Sequence, residues 1–293
     1  MASGITSSGT LADSKNAIVA DARIVREYEG VWQRTCEKQS LANGTGDYWQ
    51  RVTIDQMAAQ DITETTDNTN SQQYGDTLFT MTPEMTQILI KVTDRTYRRI
   101  AAVVKSKMGT AAGNAMERKK DEDYLAVFST LSTAVQPGSG VSMSYGYISA
   151  AKSRISSNTT EATMTKIHTV LHGFQWKDIW DEVVQIGTYP VPAGMTAEMF
   201  GRGPQPLGMV AGSTGYEDGN ITITSNNARG ATHAVEGIIA LQGMGIKSET
   251  RRDPAYGGGA DELFMTDEYA FAEFNSAAGW AFGHLSDATA PTS

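Results

Sequence analysis

The chain has 293 residues, of which 40% are hydrophobic, and a formal net charge of -9. A chain of this length and composition folds as one large or two modest globular domains rather than staying disordered. The negative charge argues against a general nucleic-acid-binding protein, the single cysteine excludes an internal disulfide bond, and the absence of any run of 18 apolar residues predicts no membrane-spanning helix.

Residues 17–39 carry apolar side chains at helical spacing. This pattern predicts one or two short amphipathic helices. Their apolar side comprises Ile18, Ile24, Val25, Tyr28, Val31 and Trp32. Two interpretations remain open: the segment packs on its own domain, or it is an arm that packs on a neighbouring subunit.

Residues 48–90 predict an extended hairpin. Apolar and β-branched residues mark strand segments near residues 49–54, 78–81 and 88–92. Between the first two lies DITETTDNTNSQQYGD, which has almost nothing apolar to bury. A loop of this length with no core of its own is usually functional or disordered. We therefore expect the hairpin to carry a polar, exposed tip.

Residues 93–131 predict one long helix, because apolar residues recur there at steps of three and four and no proline interrupts them. Thr93 or Asp94 can cap its first turn. At 1.5 Å per residue such a helix is about 55 Å long, which exceeds the need of one compact domain and favours a structural role. Gly109 and Gly113 predict a kink or a close contact, since each costs about 1 kcal/mol relative to alanine.

Charge separates the hairpin from the helix. Residues 52–90 contain six acidic residues and no lysine or arginine, whereas residues 94–120 contain eight basic residues against two acidic ones, a net of +6. One interpretation is two solvated faces, which is what charge runs usually are. The other is that the two segments meet across a boundary between subunits.

A second region follows the turn-forming sequence PGSG. Its pattern predicts helices at 144–157 and 175–186, strands at 164–171, 207–210, 220–224, 263–266 and 270–274, a long Gly- and Pro-rich loop at 187–215, and a frayed tail at 286–293. The turn YEDG is expected between the strands 207–210 and 220–224. Residues 236–250 fit a strand and a helix equally well.

Residues typical of catalysis are sparse. His168 and His172 have the spacing of a zinc-binding helix, but KIHTVLHGF is typical of a strand ending in a turn, so we expect no metal site there. Cys36 is expected to be a packed thiol. No nucleophile elbow, phosphate-binding loop or dinucleotide fingerprint occurs, and no carboxylate pair stands out. The sequence therefore predicts no catalytic residues, no cofactor and no enzyme activity.

The order of these segments resembles the major capsid protein of tailed bacteriophages, which has the Hong-Kong-97-type coat fold. The resemblance rests on an N-terminal arm, on the hairpin returning through TQILIKVTDRTYRRIA into the long helix, and on the close of that helix in KKDEDYLAVFSTL. It continues through SYGYISAAKSRISSN, IHTVLHGFQWKDIWDEV, PLGMVAGSTGYEDGNITI and ETRRDPAYGGGADELFMTDEYAFAEFNSAAGWAFGHL. It covers most of the chain but depends on the order and the residue composition of these segments rather than on an invariant motif.

The resemblance implies an α+β protein with four parts. They are an N-terminal arm at 1–46, an extended β-hairpin or E-loop at 47–92, a P-domain with a long spine helix at 93–138 and 251–293, and an A-domain at 139–250. Function would then lie in contacts between copies of the chain. The implied protein assembles into pentamers and hexamers of an icosahedral shell around double-stranded DNA, which it contacts without sequence specificity. An encapsulin-like shell around a protein cargo has the same fold and is the alternative.

The implied setting is the virion, assembled in the host cytoplasm, without a membrane. The implied partners are a separate scaffolding protein and a portal, with a decoration protein as a further candidate. A separate scaffold is expected because arm-like sequence begins by about Ala17. In this fold the hairpin lies over the adjacent subunit, and the charge pattern suggests its partner surface. The predicted contacts between copies are Asp61, Glu64, Asp67, Leu78, Phe79, Arg95, Arg98, Arg99 and Lys105.

Overall fold

The computed structural model describes residues 5–6, 30–42, 44, 46–65, 69, 71–99, 102–158, 161–185, 208–256, 258–275, 277 and 279–292, with the backbone alone at 5–6, 102–106, 183–185 and 208. The helices in this part are α1 (Trp32–Thr35), α2 (Asp94–Arg99), α3 (Ala102–Val127), α4 (Tyr145–Ser156) and α5 (Gly173–Gln185). The strands are β1 (Ile5–Thr6), β2 (Glu37–Ser40), β3 (Trp49–Ile54), β4 (Asp76–Met81), β5 (Glu84–Thr93), β6 (Ile167–Leu171), β7 (Gly208–Val210), β8 (Ser213–Glu217), β9 (Asn227–Ala234), β10 (Ile238–Asp253), β11 (Ala260–Glu273) and β12 (Ala281–Asp287).

The first sheet has the order β1-β5-β11-β10-β2 and is built around the long antiparallel pair β10–β11. The undecided residues 236–250 are therefore mainly strand. The two short strands expected at 263–266 and 270–274 are one strand, because β11 pairs along its length with β10 and with β5. Propensity alone could not show that the intervening Asp267 is buried and that Lys120 on α3 compensates its charge in an ion pair.

The second sheet has the order β12-β9-β6-β8-β7, with α4 and α5 as predicted at residues 145–156 and 173–185. The strand expected at 220–224 is wrong. The hairpin here is β7–β8, and it turns at Ala211 and Gly212, which both have positive φ. The expected turn residue Tyr216 lies inside β8 and is buried.

The C-terminal residues are more ordered than the sequence predicts. β12 extends to Asp287, and Ser286 and Ala288 are buried. Gln175 on α5 donates to the hydroxyl of Ser286 at 2.7 Å, and Ala288 donates its backbone N–H to Asn226. The prediction of fraying from residue 286 was wrong because these tertiary partners satisfy polar groups that look solvent-exposed in the sequence.

The long helix is confirmed in its main part, as α2 and α3, with residues 100–101 outside the described range. Thr93 accepts the backbone N–H of Thr96 on its side-chain oxygen, which is the expected cap. The helix ends at Val127 instead of Leu131. The hydroxyls of Ser129 and Thr130 donate to carbonyls three residues earlier and tighten the chain into a turn.

The two glycines of the long helix do not mark a close contact within the described part of the chain. A Cβ built on Gly109 or on Gly113 meets no described atom within 4 Å. The expectation of tight packing at these positions is therefore not supported by the structure.

The predicted hairpin is present but shorter than the range 47–92. Only β3 and β4 pair with each other, whereas β5 leaves the hairpin and joins the first sheet beside β11. The hairpin proper is thus residues 49–81. The sequence does not show that β5 is separate from it, because β5 has the same alternation of apolar and polar residues as β3 and β4.

Residues 30–40, hereafter the docked segment, pack on the chain's own body. Val31 and Thr35 are fully buried, and β2 runs parallel to β10. Of the two open interpretations, the structure therefore supports docking on the own domain for this stretch, while residues 17–29 lie outside the described range. The helix predicted to extend to Gln39 is wrong, because residues 37–40 find backbone partners on β10 and become a strand.

Tyr124 on α3 joins the docked segment to the second sheet. Its hydroxyl lies 2.9 Å from Nε2 of His233 on β9 and accepts from Thr35 at 2.9 Å. Burial lowers the pKa of His233 to about 4, so the ring is neutral. His233 Nδ1 lies 2.9 Å from the carbonyl of Ala234, where only a donor fits, so Nε2 of the neutral ring is the acceptor and Tyr124 donates to it. Tyr124 thus links the docked segment to β9 through Thr35 and His233.

Candidate assembly surfaces

The hairpin has two chemically different faces. Val52 pairs with Leu78 and Arg51 pairs with Phe79 across the ladder, so these pairs point to opposite sides. Trp49, Arg51, Phe79 and Met81 turn toward the body of the protein and are at least partly buried. Leu78 and Phe79 were both predicted to contact a neighbouring copy, but the structure places them on opposite faces.

The inward face fixes the hairpin to its own body. The ring of Phe79 lies 5.2 Å from Phe274 and 6.4 Å from Trp49, in edge-to-face geometry. The guanidinium of Arg51 lies 5.2 Å from the ring of Trp49 and 4.9 Å from that of Phe274. These contacts orient the base of the hairpin.

The same arginine forms an ion pair with Glu37 on β2. Burial opposes ionisation of Glu37, but hydrogen bonds from Arg51 and Gln39 outweigh it and lower the pKa of the Glu37 carboxyl. The hairpin is thus tied to the docked segment as well as to the aromatic cluster.

The outward face carries three apolar side chains that the described part of the chain leaves uncovered, beside the polar Gln50, Asp76 and Thr80. The exposed fractions are 55% for Val52, 64% for Ile54 and 54% for Leu78. Farther along the hairpin Met57, Ile62 and Tyr74 are also exposed. Large apolar side chains exposed together on one face of an anchored hairpin are typical of an interaction site. Val52 and Ile54 were recognised in the sequence only as strand residues, although their alternation with Trp49 and Arg51 carried the signal for a second face.

The acidic tip is exposed where it is described. Asp61 and Glu64 are exposed, and Asp67 lies outside the described residues. The backbone N–H of Asp55 donates to the carbonyl of Gly75, which extends the ladder slightly beyond β3 and β4. Among described residues, no ion pair joins this tip to the basic positions of the long helix in the same chain.

The basic positions of the long helix fall into two groups. Arg95, Arg98 and Arg99 on α2 are exposed, and their contact with a neighbouring copy stays a prediction, whereas the side chain of Lys105 lies outside the described range. Toward the other end the cations have partners in the same chain. They are the pairs Arg118–Glu122, Lys119–Asp123 and Lys120–Asp267.

The net charge of +6 counted for residues 94–120 therefore overstates the positive surface. The count stops just before Asp121, Glu122 and Asp123, and over residues 94–127 the eight basic residues face five acidic ones, a net of +3. Lys120 and Asp267 form a buried pair, which holds α3 on the first sheet and is closed to any partner. The basic surface open to a neighbour is concentrated on α2.

The described residues contain no group of three or more His, Cys, Asp or Glu side chains that could hold a metal ion. His168 packs on the ring of Tyr216 at 5.4 Å, and His172 accepts the N–H of Phe174 on Nδ1. The pair noted in the sequence thus has packing and turn-forming contacts. None of the helices in the described part is long and apolar enough to cross a membrane.

Comparison with known proteins defines the class of fold. No protein-family model and no curated protein matches the sequence. Solved capsid structures of tailed phages do match along nearly the whole chain, so the protein has the fold of tailed-phage capsid proteins.

Three of these structures show the extent of the likeness. The capsid protein of cyanophage Pam1 matches with a TM-score of 0.69 and 10% identity, covering 99% of this chain and 100% of that one. The capsid of cyanophage P-SCSP1u gives a TM-score of 0.69 at 10% identity, covering 93% and 92%. The capsid of Ralstonia phage GP4 gives 0.65 at 13% identity, covering 88% of both chains.

Proposed function

We propose that this chain is the major capsid protein of a tailed phage, a structural subunit whose function is to bind copies of itself. The observation that carries the proposal is the end-to-end match with the cyanophage Pam1 capsid, at 99% and 100% coverage. The outward face of the hairpin supports the proposal. Val52, Ile54 and Leu78 are exposed there although the hairpin is fixed to the body of the protein, and exposed apolar side chains of this kind are typical of a surface that a partner covers.

In this proposal the hairpin is the E-loop, α2 and α3 form the spine helix of a P-domain with residues 251–293, and residues 139–250 form an A-domain. Residues 1–46 contain the N-terminal arm, whose part at 30–40 serves as an anchor on the own body. The hairpin of one copy lies over the next, with Leu78, Val52 and Ile54 against its surface and the acidic tip facing basic positions such as Arg95, Arg98 and Arg99.

Copies joined in this way form pentamers and hexamers of an icosahedral shell that encloses double-stranded DNA in the virion. The partners in the proposal are a separate scaffolding protein and a portal, with a decoration protein as a further candidate, and assembly takes place in the host cytoplasm. The matching structures named above are phage capsids, which favours a shell around DNA over one around a protein cargo.

The test is electron microscopy of the purified protein, alone and with its candidate scaffolding protein, together with size-exclusion chromatography. We expect capsomers or shells rather than a species of 31.5 kDa. Particles isolated from infected cells should contain nuclease-protected double-stranded DNA. A chain that stays monomeric under all these conditions would refute the shell function, and particles filled with protein would assign the shell to a cargo instead.

A further inference from the structure

Two carboxyl groups lie together in the interior, where the docked segment, the long helix and the loop after β8 meet. Asp121 on α3 and Asp218 after β8 are both fully buried. Asp218 lies within hydrogen-bonding reach of Asp121. No contact described above uses this pair, and no local sequence pattern indicates it, because the two residues are far apart in the chain.

Three of the four carboxyl oxygens already accept an N–H group. Asp121 Oδ1 accepts from the backbone of Val31 at 3.1 Å, and Asp121 Oδ2 accepts from the side chain of Asn220 at 2.8 Å. Asp218 Oδ1 accepts from the backbone of Asn220 at 2.8 Å. The fourth oxygen, Asp218 Oδ2, is buried and has no hydrogen-bond partner among the residues that the structure describes.

Among the described residues, the other titratable groups near the pair supply no positive charge. Tyr124 and Cys36 face it from α3 and from the docked segment, and burial raises the pKa of both groups, so they stay neutral. Within the described residues no lysine or arginine forms an ion pair with Asp121 or Asp218. Two ionised carboxylates would therefore stand side by side in a dry site, which costs far more than one ionised and one protonated group.

A proton fits this site better than a metal ion. Three oxygens are occupied by N–H donors, which would point at a cation, and the described residues offer no third metal-binding side chain. A proton between the two carboxyl groups gives the remaining oxygen its missing hydrogen bond.

We propose that Asp121 and Asp218 share one proton, and that this proton is needed to hold the docked segment on the long helix, so that the segment loosens as the pH rises. The docked segment is the element that gives way, because Asp121 Oδ1 holds it directly through the N–H of Val31. Gly30 lies against the same carboxylate, and a Cβ there would come 2.3 Å from Asp121 Oδ1, so the fit depends on where this side chain stands.

The range of pH follows from linkage. Burial and the neighbouring Asp121 raise the pKa of Asp218 to about 8. Once the segment has opened and water enters, an aspartate returns to about 3.9. Opening then releases a proton between these values, so it becomes easier by up to about tenfold per pH unit from about pH 4 to about pH 8, and levels off above that.

Cys36 is a built-in reporter of this opening. It is the only cysteine of the chain, lies in the docked segment and is buried. The experiment is alkylation of Cys36 by iodoacetamide in the intact protein at several values from about pH 6.5 to about pH 8, a window at and above the ordinary histidine pKa, where the rising pH removes charge from histidines of the unfolded chain and does not destabilise the fold. The rate of the urea-unfolded protein at the same pH is divided by each native rate, which removes the titration of the thiol itself and gives a protection factor.

In the wild type we expect the protection factor to fall by about tenfold or more across this window. In Asp218→Asn the amide donates permanently to Asp121 and has no proton to lose, so protection should stay constant within about twofold. Glu122→Gln is the matched control: it neutralises an exposed carboxylate on the same helix and should behave as the wild type.

Urea unfolding of each protein, measured at the same pH values, separates opening of the segment from unfolding of the whole chain. A constant protection factor in the wild type, or an equally steep fall in Asp218→Asn, would overturn the proposal. A fall in the protection factor that matches the loss of global stability at every pH would also overturn it, because Cys36 would then react only when the whole chain unfolds. Hydrogen exchange of residues 31–36 should follow Cys36. Neither readout depends on whether the chain forms shells.

Discussion

The ring of Phe79 on the hairpin lies edge-on to the ring of Phe274 at the end of β11, with centroids 5.2 Å apart. This contact couples an extended hairpin to the first sheet of the same chain. It also fixes which face of the hairpin remains outside, because the neighbouring Leu78 must then point away. Orientation of the proposed assembly surface is thus decided inside the subunit.

We predict that two adjacent alanine substitutions affect different properties, one the stability of the subunit and the other its assembly. Phe79→Ala removes a partly buried ring from the aromatic cluster and should lower the free energy of unfolding by about 2–3 kcal/mol. Leu78→Ala removes exposed surface and should change it by less than about 0.5 kcal/mol, while slowing assembly measured by light scattering. Urea unfolding measured by fluorescence distinguishes the two. An equal loss of stability in both variants would contradict the assignment of faces.

We predict that charge on the hairpin tip directs docking between copies. Reversing Asp61, Glu64 and Asp67 to lysine should leave the subunit folded but slow or misdirect assembly, since exposed ion pairs steer association more than they strengthen it. The neutral variant Asp61→Asn, Glu64→Gln, Asp67→Asn is the control and should be intermediate. Equal assembly kinetics for all three proteins would mean that the tip is only a solvated face.

Salt provides an independent check of the same idea. Screening should slow wild-type assembly as ionic strength rises from about 0.05 M to about 0.5 M, since the Debye length falls below the span of the contact. The lysine variant should show the opposite or no dependence. Salt also strengthens apolar contacts between copies, but this effect is the same in all variants and therefore cancels when their assembly rates are compared.

Two glycine-to-alanine substitutions should have opposite signs. Gly30→Ala places a Cβ 2.3 Å from Asp121 Oδ1, and this side chain cannot rotate away because Val31 and Asn220 donate to it. We expect a loss of about 1–3 kcal/mol in stability. Gly109→Ala meets no described atom within 4 Å and should gain up to about 1 kcal/mol through helix propensity. Thermal unfolding of both proteins checks this, and a destabilised Gly109→Ala would indicate a neighbour against that face of the helix.

Acid should destabilise the subunit through buried histidines. Burial lowers the pKa of His233 and of His284 to about 4, below the value of 6.5 in the unfolded chain. The unfolded state therefore binds more protons between these values, so stability is complete above about pH 6.5 and falls as the pH drops toward 4. The loss amounts to at most about 3 kcal/mol for each histidine.

Asp218 has the opposite sign in the same range, since its raised pKa makes the folded state bind the extra proton. The measurement is therefore made in Asp218→Asn, by urea unfolding at about pH 7 and about pH 4.5. Adding His284→Gln should reduce the difference between the two pH values. An unchanged free energy of unfolding between them would contradict the neutral assignment of both histidines.

The sequence by itself determined the elements whose pattern is local. The alternation of Trp49 with Val52 and Ile54, the three- and four-residue spacing of the long helix, and the cap at Thr93 each depend on neighbours within a few residues, and the corresponding elements are present in the structure. The resemblance to a capsid protein also rested on the order of such segments, and the fold agrees with it.

Only the tertiary structure decided where those elements pair and which polar groups they bury. In the structure β5 pairs in the first sheet instead of in the hairpin, and residues 37–40 form a strand beside β10 instead of a helix. Phe79 points inward and Leu78 points outward. The fold also brings Asp218 against Asp121, which are distant in the chain. The physical reason is common to these cases: pairing of backbone groups and desolvation of charges depend on partners that are remote in sequence, and no local pattern encodes them.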